Sequence, residues 1–305
     1  MLPPLVLRGV SRSFGPVRAL DSVDLEVEQG SVTVILGPNG AGKTTTFRVV
    51  TGVLAPQAGI VEVFGLDPAR HGGSVRRRCG VVPPKPAMYD RLTGRENLAY
   101  AARLYELDDP PIGPLSERFG IDHALDQPVG AYSTGMRTRL ALVRSLLHDP
   151  QLLLLDEPTA GLDPESALVV RRLLFDMAHG GRTVVMSTHL LHEADGTADQ
   201  IVMMDEGRVW ERGTPSELAA RFGDGTVVRL DAEDRSVFAD LAAMPGVLGV
   251  RVDGVVEATL SGPAEVPALV AALVERGARL TRVEPVKLDL EALYFRMRRA
   301  RERSS

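Results

Sequence analysis

The sequence predicts an α/β fold with a second, smaller domain, for three reasons. Apolar runs typical of buried parallel strands stand at Val32–Leu36, Leu152–Asp156 and Thr183–Ser187. The segment Glu165–His179 has apolar residues at helical spacing and separates the last two runs, as expected for an α/β core. The composition then changes after Phe222, where shorter runs follow one another in a different order. We therefore expect a main domain over residues 4–222 and a C-terminal extension over residues 223–305.

The other elements of the main domain follow from local patterns. A capping box at Thr93 and Glu96 opens a helix that we expect to continue to Leu107. Short helices and turns are expected over 110–129, and a second long helix over Ser133–Leu147. These helices form a predicted helical subdomain at about residues 88–150. Four further strands are predicted, at Leu5–Val10, Leu25–Val27, Ile60–Phe64 and Cys79–Val82.

The extension is predicted to be a small α+β domain of the order βαββαβ, the split-βαβ pattern of ferredoxin-like domains. Asp253 and Gly254 form a two-residue hairpin signal between its second and third strands. A last helix is expected from about Leu288, followed by an arginine-rich end that is solvated or contacts acidic lipid headgroups or a partner. The strands are expected at Thr226–Leu230, Leu248–Val252, Val255–Leu260 and Leu280–Glu284, and the helices at Asp234–Ala243 and Val266–Arg276.

Composition excludes several classes of protein. The chain of 305 residues is 44% hydrophobic and 25% charged, as in ordinary globular proteins. Its net charge of −5 gives no support for a nucleic-acid partner, and none is expected. Cys79 is the only cysteine, which rules out a disulfide within the chain and favours a reducing compartment. No apolar run reaches the length of a membrane span, so a separate protein would have to anchor the chain to a membrane.

The glycine-rich turn after Val32–Leu36 matches the phosphate-binding loop pattern Gly-x4-Gly-Lys-Thr, with a strand before it and a helix after it. Glycines let successive backbone N–H groups point at phosphate oxygens, and the helix N-terminus adds partial positive charge. Lys43 is expected to contact the β- and γ-phosphates, and the Thr44 hydroxyl to bind Mg²⁺. The predicted nucleotide-binding residues of this loop are Gly37, Pro38, Asn39, Gly40, Ala41, Gly42, Lys43, Thr44 and Thr45.

Asp156 and Glu157 end a buried strand as two adjacent carboxylates. Burying both is costly unless a cation compensates, and Mg²⁺ on nucleotide phosphates would compensate Asp156. Glu157 points differently and is expected to deprotonate the attacking water. A strand that merely ends in surface acids is the alternative, which the phosphate-binding loop makes less attractive.

These residues resemble a known family. Asp156–Thr159, Ala160–Asp163 and Ser187–His189 are similar to the strand-end acids, the D-loop and the switch histidine of ATP-binding cassette (ABC) domains. The resemblance covers about residues 4–220. It implies a P-loop NTPase fold with a mixed sheet and a helical subdomain. It also implies ATP and Mg²⁺ as ligands, Asp163 as a D-loop residue, and His189 as a catalytic residue that contacts the γ-phosphate.

The segment Tyr132–Met136 is similar to the ABC signature, usually Leu-Ser-Gly-Gly-Gln, and keeps only Ser133 and Gly135. In the family this segment caps ATP bound by the opposite subunit, so the resemblance implies a head-to-tail dimer, homomeric or heteromeric. The family also implies that Phe14 stacks on adenine, although a core phenylalanine is the plainer alternative.

Pro84 departs from the family, which usually has a glutamine there, in the Q-loop. Proline has no side-chain amide to reach Mg²⁺ or water. Lys85 or a water molecule substitutes, or coupling works without this contact; loss of ATPase activity is the other possibility.

The resemblance implies a transport function. We expect the ATP-hydrolysing subunit of an ABC transporter, located in the cytoplasm on the inner face of the plasma membrane and docked on a separate transmembrane permease. The end of the extension, 287–295, resembles the tail of ABC-2 and drug-exporter ATPases and favours export over import. The alternatives are a soluble ABC ATPase acting on ribosomes or DNA, and a regulatory protein that binds ATP.

Overall fold

The computed structural model describes residues 2–194, 198–222, 225–286, 291 and 293–298. The chain divides into two compact units, Met1–Gly213 and Thr214–Ser305. The division falls before the helix Pro215–Phe222, whereas the boundary expected from the sequence lies after it.

The first unit contains the strands and helices that carry the phosphate-binding loop. In chain order they are β1 (Leu5–Phe14), β2 (Val17–Val27), β3 (Val32–Leu36), α1 (Lys43–Val50), β4 (Ala58–Val63), α2 (Pro68–Arg78), β5 (Cys79–Val82), α3 (Gly94–Leu104), α4 (Ile112–Arg118), α5 (Thr134–Leu146), β6 (Leu152–Asp156), α6 (Pro164–His179), β7 (Thr183–Thr188), α7 (Leu191–Ala194), β8 (Gln200–Asp205) and β9 (Arg208–Gly213).

Two sheets share the core of this unit. The larger has the order β5-β6-β7-β3-β8-β9, and all its pairs are parallel except β8 with β9. The smaller is antiparallel, with the order β2-β1-β4. Side chains of α1, including Phe47 and Val50, share one buried cluster with strands of both sheets. The predicted mixed sheet is therefore confirmed, and helices α3 to α5 lie within the segment predicted as a helical subdomain.

Several elements differ from the sequence-based expectation. β1 and β2 are much longer than the predicted Leu5–Val10 and Leu25–Val27, because register shifts and a left-handed Ser22 (φ 51°) interrupt their alternation. Helix α2 and the β8–β9 hairpin were not predicted at all. α2 buries only Pro68 and Val75, so its sequence lacks the periodic apolar residues that would predict a helix.

The second unit contains α8 (Pro215–Phe222), β10 (Thr226–Ala232), β11 (Val247–Asp253), β12 (Val255–Leu260), α9 (Glu265–Glu275) and β13 (Leu280–Pro285). Its four strands form an antiparallel sheet of order β11-β12-β10-β13, with its own buried cluster.

The predicted helix Asp234–Ala243 is wrong. Two short 3₁₀ turns, Arg235–Phe238 and Leu241–Ala243, occupy this stretch. Asp234 caps the first turn locally, and Phe238 and Leu241 pack in the buried cluster against the sheet. The predicted start of the last helix at Leu288 lies outside the described residues, as do Arg299, Arg301 and Arg303, while 293–298 is helical.

Candidate functional site

The loop between β3 and α1 has the backbone that the phosphate-binding motif predicts. Gly42 precedes α1 with φ 104°, and no side chain caps the helix N-terminus. A Cβ at Gly42 would lie 2.5 Å from the Ala19 carbonyl oxygen, and one at Gly37 would collide with the Met204 carbonyl. These positions therefore require glycine, and the uncapped N-terminus of α1 suits an anion such as phosphate.

Lys43 is buried, with 5% of its surface exposed, and its ammonium is held within the loop. Its Nζ donates hydrogen bonds to the carbonyl oxygens of Gly37 (2.7 Å) and Pro38 (3.1 Å). It also lies 3.4 Å from Oε1 of Glu157. The loop thus holds a cation at the carboxyl end of β3, where an open α/β sheet binds its ligands.

Asp156 ends β6 and is only 3% exposed. Its Oδ2 accepts a hydrogen bond from the Thr44 hydroxyl, and its Oδ1 accepts one from the Ser187 hydroxyl, each at 2.5 Å. Strand β7 is the neighbour of β6, and Ser187 on it holds the oxygen of the Asp156 carboxylate that Thr44 does not contact. Sequence reasoning gave Ser187 no role beyond its place in the motif with His189.

The oxygen donors of Thr44 and Asp156 fit Mg²⁺, which is usually held by one or two carboxylates together with substrate phosphates. Within the described part of the chain, no cluster of three or more acidic, histidine or cysteine side chains could hold a metal ion by itself.

Glu157 follows Asp156 with a left-handed backbone (φ 51°), which is uncommon for a residue other than glycine. Its N–H donates to the Ser187 carbonyl (3.1 Å), and its Oε1 lies 3.2 Å from Nδ1 of His189. The structure therefore brings Lys43, Glu157 and His189 together, although they lie far apart in the sequence. The Glu157 carboxylate contacts Lys43 and His189, whereas Asp156 contacts Thr44 and Ser187.

A cavity of about 500 Å³ opens over this loop. Asn39 to Thr45 and Glu157 line it, and so does Phe14, which is 43% exposed. Phe14 is therefore not a core residue; the Arg12 guanidinium lies over its ring, 5.2 Å from the centroid, and stacking on adenine would use the other face. The structure adds lining residues that no sequence motif predicted: Val17, Arg18, Ala19 and Glu206.

Arg18 and Glu206 reach the cavity through contacts between distant segments. Asp21 is 8% exposed and pairs with Arg18 at 2.8 Å and with Arg208 of β9. Gly207 donates its N–H to the Ala41 carbonyl (3.0 Å), which holds the β8–β9 turn against the phosphate-binding loop.

Ser133, Gly135 and Asp163 do not line this cavity. Ser133 caps α5 by accepting a hydrogen bond from Met136 N–H at 3.2 Å, and Asp163 caps α6 through Ser166 N–H at 2.9 Å. That hydrogen bond lowers the pKa of Asp163 below its ordinary value. The two helix starts are neighbours, since a Cβ on Gly135 would lie 3.7 Å from the Ser166 hydroxyl.

Pro84 is exposed at a bend in the connection after β5 and is absent from the cavity lining. The next part of this connection is held by α5, because Arg144 donates to the Ala87 carbonyl (2.5 Å) and Arg137 pairs with Asp90 (2.7 Å). The segment is thus tied to the helix that Ser133 caps. No helix in the described residues is long and apolar enough to span a membrane.

A family model and the relatives found by sequence comparison indicate the same protein family. The sequence model of the ABC transporter family matches residues 20–160. The daunorubicin resistance ATP-binding protein DrrA3 of Streptomyces coeruleorubidus is 40% identical, over 82% of this chain and 80% of that protein. The ABC transporter ATP-binding protein NatA of Bacillus subtilis (strain 168) is 38% identical, over 66% of this chain and 84% of that protein.

Solved structures agree with this comparison. An ATP-binding subunit of an ABC transporter has a TM-score of 0.66 at 29% identity, over 72% of this chain and 93% of that chain. The cbiO1 protein of Clostridium perfringens, part of the ABC transporter complex cbiONQ, has a TM-score of 0.64 at 29% identity, over 72% of this chain and 92% of that chain. These findings support the transport function and not the alternatives on ribosomes, DNA or regulation. The chain belongs to the ATP-binding proteins of ABC transporters and is an ABC-type ATPase.

Proposed function

We propose that this chain is the ATP-hydrolysing subunit of an ABC exporter and that it drives a separate transmembrane permease. The observation that carries the catalytic part is the cluster of Lys43, Glu157 and His189 beside the Asp156–Thr44 pair, all at one edge of the sheet. Basic, metal-binding and proton-accepting groups stand together there, as phosphoryl transfer requires.

Each residue has a distinct role in this proposal. Bound ATP with Mg²⁺ supplies the phosphoanhydride to be hydrolysed, and Thr44 and Asp156 hold the metal. Lys43 exchanges its bonds to the Gly37 and Pro38 carbonyls for bonds to phosphate oxygens, which its length and flexible stem allow. Glu157 accepts the proton of the attacking water.

His189 and the cavity lining complete the site. His189 orients Glu157 through the hydrogen bond at 3.2 Å, and in the family it contacts the γ-phosphate. Phe14 stacks on the adenine, and the residues from Asn39 to Thr45 surround the phosphates with backbone N–H groups.

We propose that two cassettes, identical or different, complete each site. Ser133 and Asp163 are exposed, and with Gly135 they form one surface at the starts of α5 and α6. That surface does not line this chain's own cavity, so its serine hydroxyl and helix N-terminus remain for a phosphate held by the second subunit.

The permease is proposed to dock near the connection after β5 that contains Pro84. Beside it lies an open, largely apolar groove of about 430 Å³ that exposes Tyr89, Tyr100 and Leu104. Exposed aromatic and apolar side chains around a groove suit the insertion of a helix from a partner. This location would place the chain in the cytoplasm, on the inner face of the plasma membrane.

The direction and cargo are proposed from the relatives. Proteins named for daunorubicin and doxorubicin resistance and for bacitracin transport are 36 to 40% identical to this chain. We propose export of an amphipathic, drug-like compound, which agrees with the tail resemblance at 287–295.

The C-terminal unit is proposed to be a ferredoxin-like domain. Numbered from β10, its antiparallel sheet has the strand order 2-3-1-4, which supports this assignment although the first helix is replaced by 3₁₀ turns. The assignment of residues 4–222 to the cassette and of 223–305 to the extension stays a prediction.

Inside-out membrane vesicles that contain the chain with its permease test the exporter proposal, with doxorubicin as the fluorescent probe. We expect ATP- and Mg²⁺-dependent accumulation of the probe inside the vesicles, and its loss in Glu157→Gln. Accumulation that is equal with and without ATP would contradict export of this class of compound. Uptake only in right-side-out vesicles would instead indicate import.

A further inference from the structure

Glu193 is a buried carboxylate for which the proposed chemistry has no use. It lies on α7 and is only 3% exposed. Its Oε1 accepts a hydrogen bond from the Thr159 hydroxyl, and its Oε2 accepts one from the Thr188 hydroxyl. Burying a carboxylate is costly unless hydrogen bonds compensate the loss of hydration, so these two contacts are strong local restraints.

The two threonines flank the two residues that meet in the site. Thr159 stands two positions after Glu157, and its carbonyl accepts the N–H of Leu162 in the turn toward Asp163. Thr188 immediately precedes His189, and its hydroxyl also accepts the Leu190 N–H at 3.0 Å. Both threonines are buried, so neither hydroxyl can readily exchange its partner for water.

Glu193 therefore adds a connection between two loops that also meet through the Glu157–His189 contact, the hydrogen bond from the Glu157 N–H to the Ser187 carbonyl, and the pairing of β6 with β7. We propose that Glu193 is a positioning residue, whose carboxylate holds the loop after Glu157 against the loop of His189 and so sets the Glu157–His189 contact. It does not line the cavity described above, although its partner Thr188 accepts the Gly37 N–H of the phosphate-binding loop at its carbonyl oxygen (3.3 Å). The inference rests on the proposed roles of Glu157 and His189.

This arrangement predicts an effect on turnover without an effect on binding. Removing the carboxylate in Glu193→Ala should misplace Glu157 and His189 and lower kcat about tenfold to a hundredfold, because small misplacements of reacting groups are costly. KM and the affinity for a fluorescent ATP analogue should change little, since Glu193 and the two threonines do not line the cavity and the substitutions keep the Thr188 carbonyl that accepts the Gly37 N–H. Thr159→Val and Thr188→Val each remove one hydroxyl at nearly constant volume and should each cause part of this loss.

Glu193→Gln separates geometry from charge. A glutamine can accept from Thr159 with its oxygen and donate from its amide to the Thr188 oxygen, so both contacts survive without the charge. We expect it to recover most of the turnover lost in Glu193→Ala. Thr183→Val is the matched control, because Thr183 is a buried threonine at the opposite end of β7, where its hydroxyl oxygen accepts the Gly30 N–H.

The test measures kcat, KM, analogue affinity and thermal unfolding for the whole chain and its variants, with Glu157→Gln alongside. The proposal is supported if kcat is low and nucleotide affinity is normal in Glu193→Ala or in both threonine variants. Glu193→Gln must in addition recover most of the turnover. If Glu193→Ala does not fold, the threonine variants decide. Three outcomes overturn the proposal. The first is a normal kcat in both threonine variants, and the second is a loss of kcat in Glu193→Gln as large as that in Glu193→Ala. The third is a loss of kcat in the control Thr183→Val as large as that in Thr159→Val or Thr188→Val. Normal turnover in Glu157→Gln would instead show that the proposed function has failed.

Discussion

Replacing Glu157 by glutamine should abolish most ATP hydrolysis while ATP still binds. Glutamine has almost the same shape, and its amide oxygen can keep the contact with His189 that is now 3.2 Å long. What the substitution removes is the group that accepts the proton, which typically costs about 10² to 10⁴ in rate. At about 1.36 kcal/mol per factor of ten, the barrier should rise by about 2.7 to 5.4 kcal/mol.

Nucleotide affinity should be unchanged or higher in the same variant. Lys43 lies 3.4 Å from the Glu157 carboxylate, and the neutral amide no longer competes with phosphate for this cation. Two measurements check the prediction: phosphate release with saturating MgATP in the presence of the permease, and equilibrium binding of a fluorescent ATP analogue. Glu28→Gln is the matched control, because Glu28 is an exposed glutamate at the end of β2.

The assignment of Glu157 would be refuted by a variant whose turnover stays close to that of the wild type. A variant that loses nucleotide affinity along with turnover would also contradict it, since it would show that the carboxylate contributes to binding rather than to proton transfer.

Three further predictions concern the rest of the chain. A chain that ends at Gly213 should unfold cooperatively and still bind ATP; if only a chain that ends at Phe222 does so, α8 belongs to the cassette. Pro84→Gln should change basal hydrolysis by less than about tenfold, or 1.4 kcal/mol of barrier, because Pro84 is exposed and outside the cavity; a larger gain would mean that the proline acts as a brake. Burial lowers the pKa of His148 below its ordinary 6.5, so the unfolded chain binds more protons in acid and the free energy of unfolding should fall as the pH drops below that value. Urea unfolding at one pH above and one pH below 6.5 measures this decrease in the free energy of unfolding. The decrease should be smaller in His148→Phe, which keeps an aromatic ring against Tyr105, and an unchanged decrease would refute the role of His148.

Motifs determined by consecutive residues could be predicted from the sequence alone. The loop from Gly37 to Thr44 needs only a strand, particular glycines and a helix start, and consecutive residues determine all three. The capping box of Thr93 and Glu96 is equally local, and both of its hydrogen bonds are present. The ends of the parallel strands β3, β5 and β6 could be located for the same reason, since their apolar runs stop where buried backbone gives way to polar residues.

The tertiary structure decided which distant groups meet. Lys43, Glu157 and His189 come from the ends of three strands, and only the order of those strands in the sheet brings them within hydrogen-bonding distance. Ser187 and Glu193 carry no motif of their own at this site, because their significance lies in the hydroxyls and the carboxylate that they contact across the sheet.

The same distinction explains the errors in the fold. Apolar spacing over Asp234–Ala243 fits a helix, but the local cap at Asp234 and the demands of the sheet leave only 3₁₀ turns. Arg18 and Glu206 could not be predicted as cavity residues, because a buried Asp21 and the packing of Gly207 on Ala41 position them. Sequence patterns report what neighbouring residues prefer, whereas these contacts join residues up to 187 positions apart, and only the packed core brings such residues together.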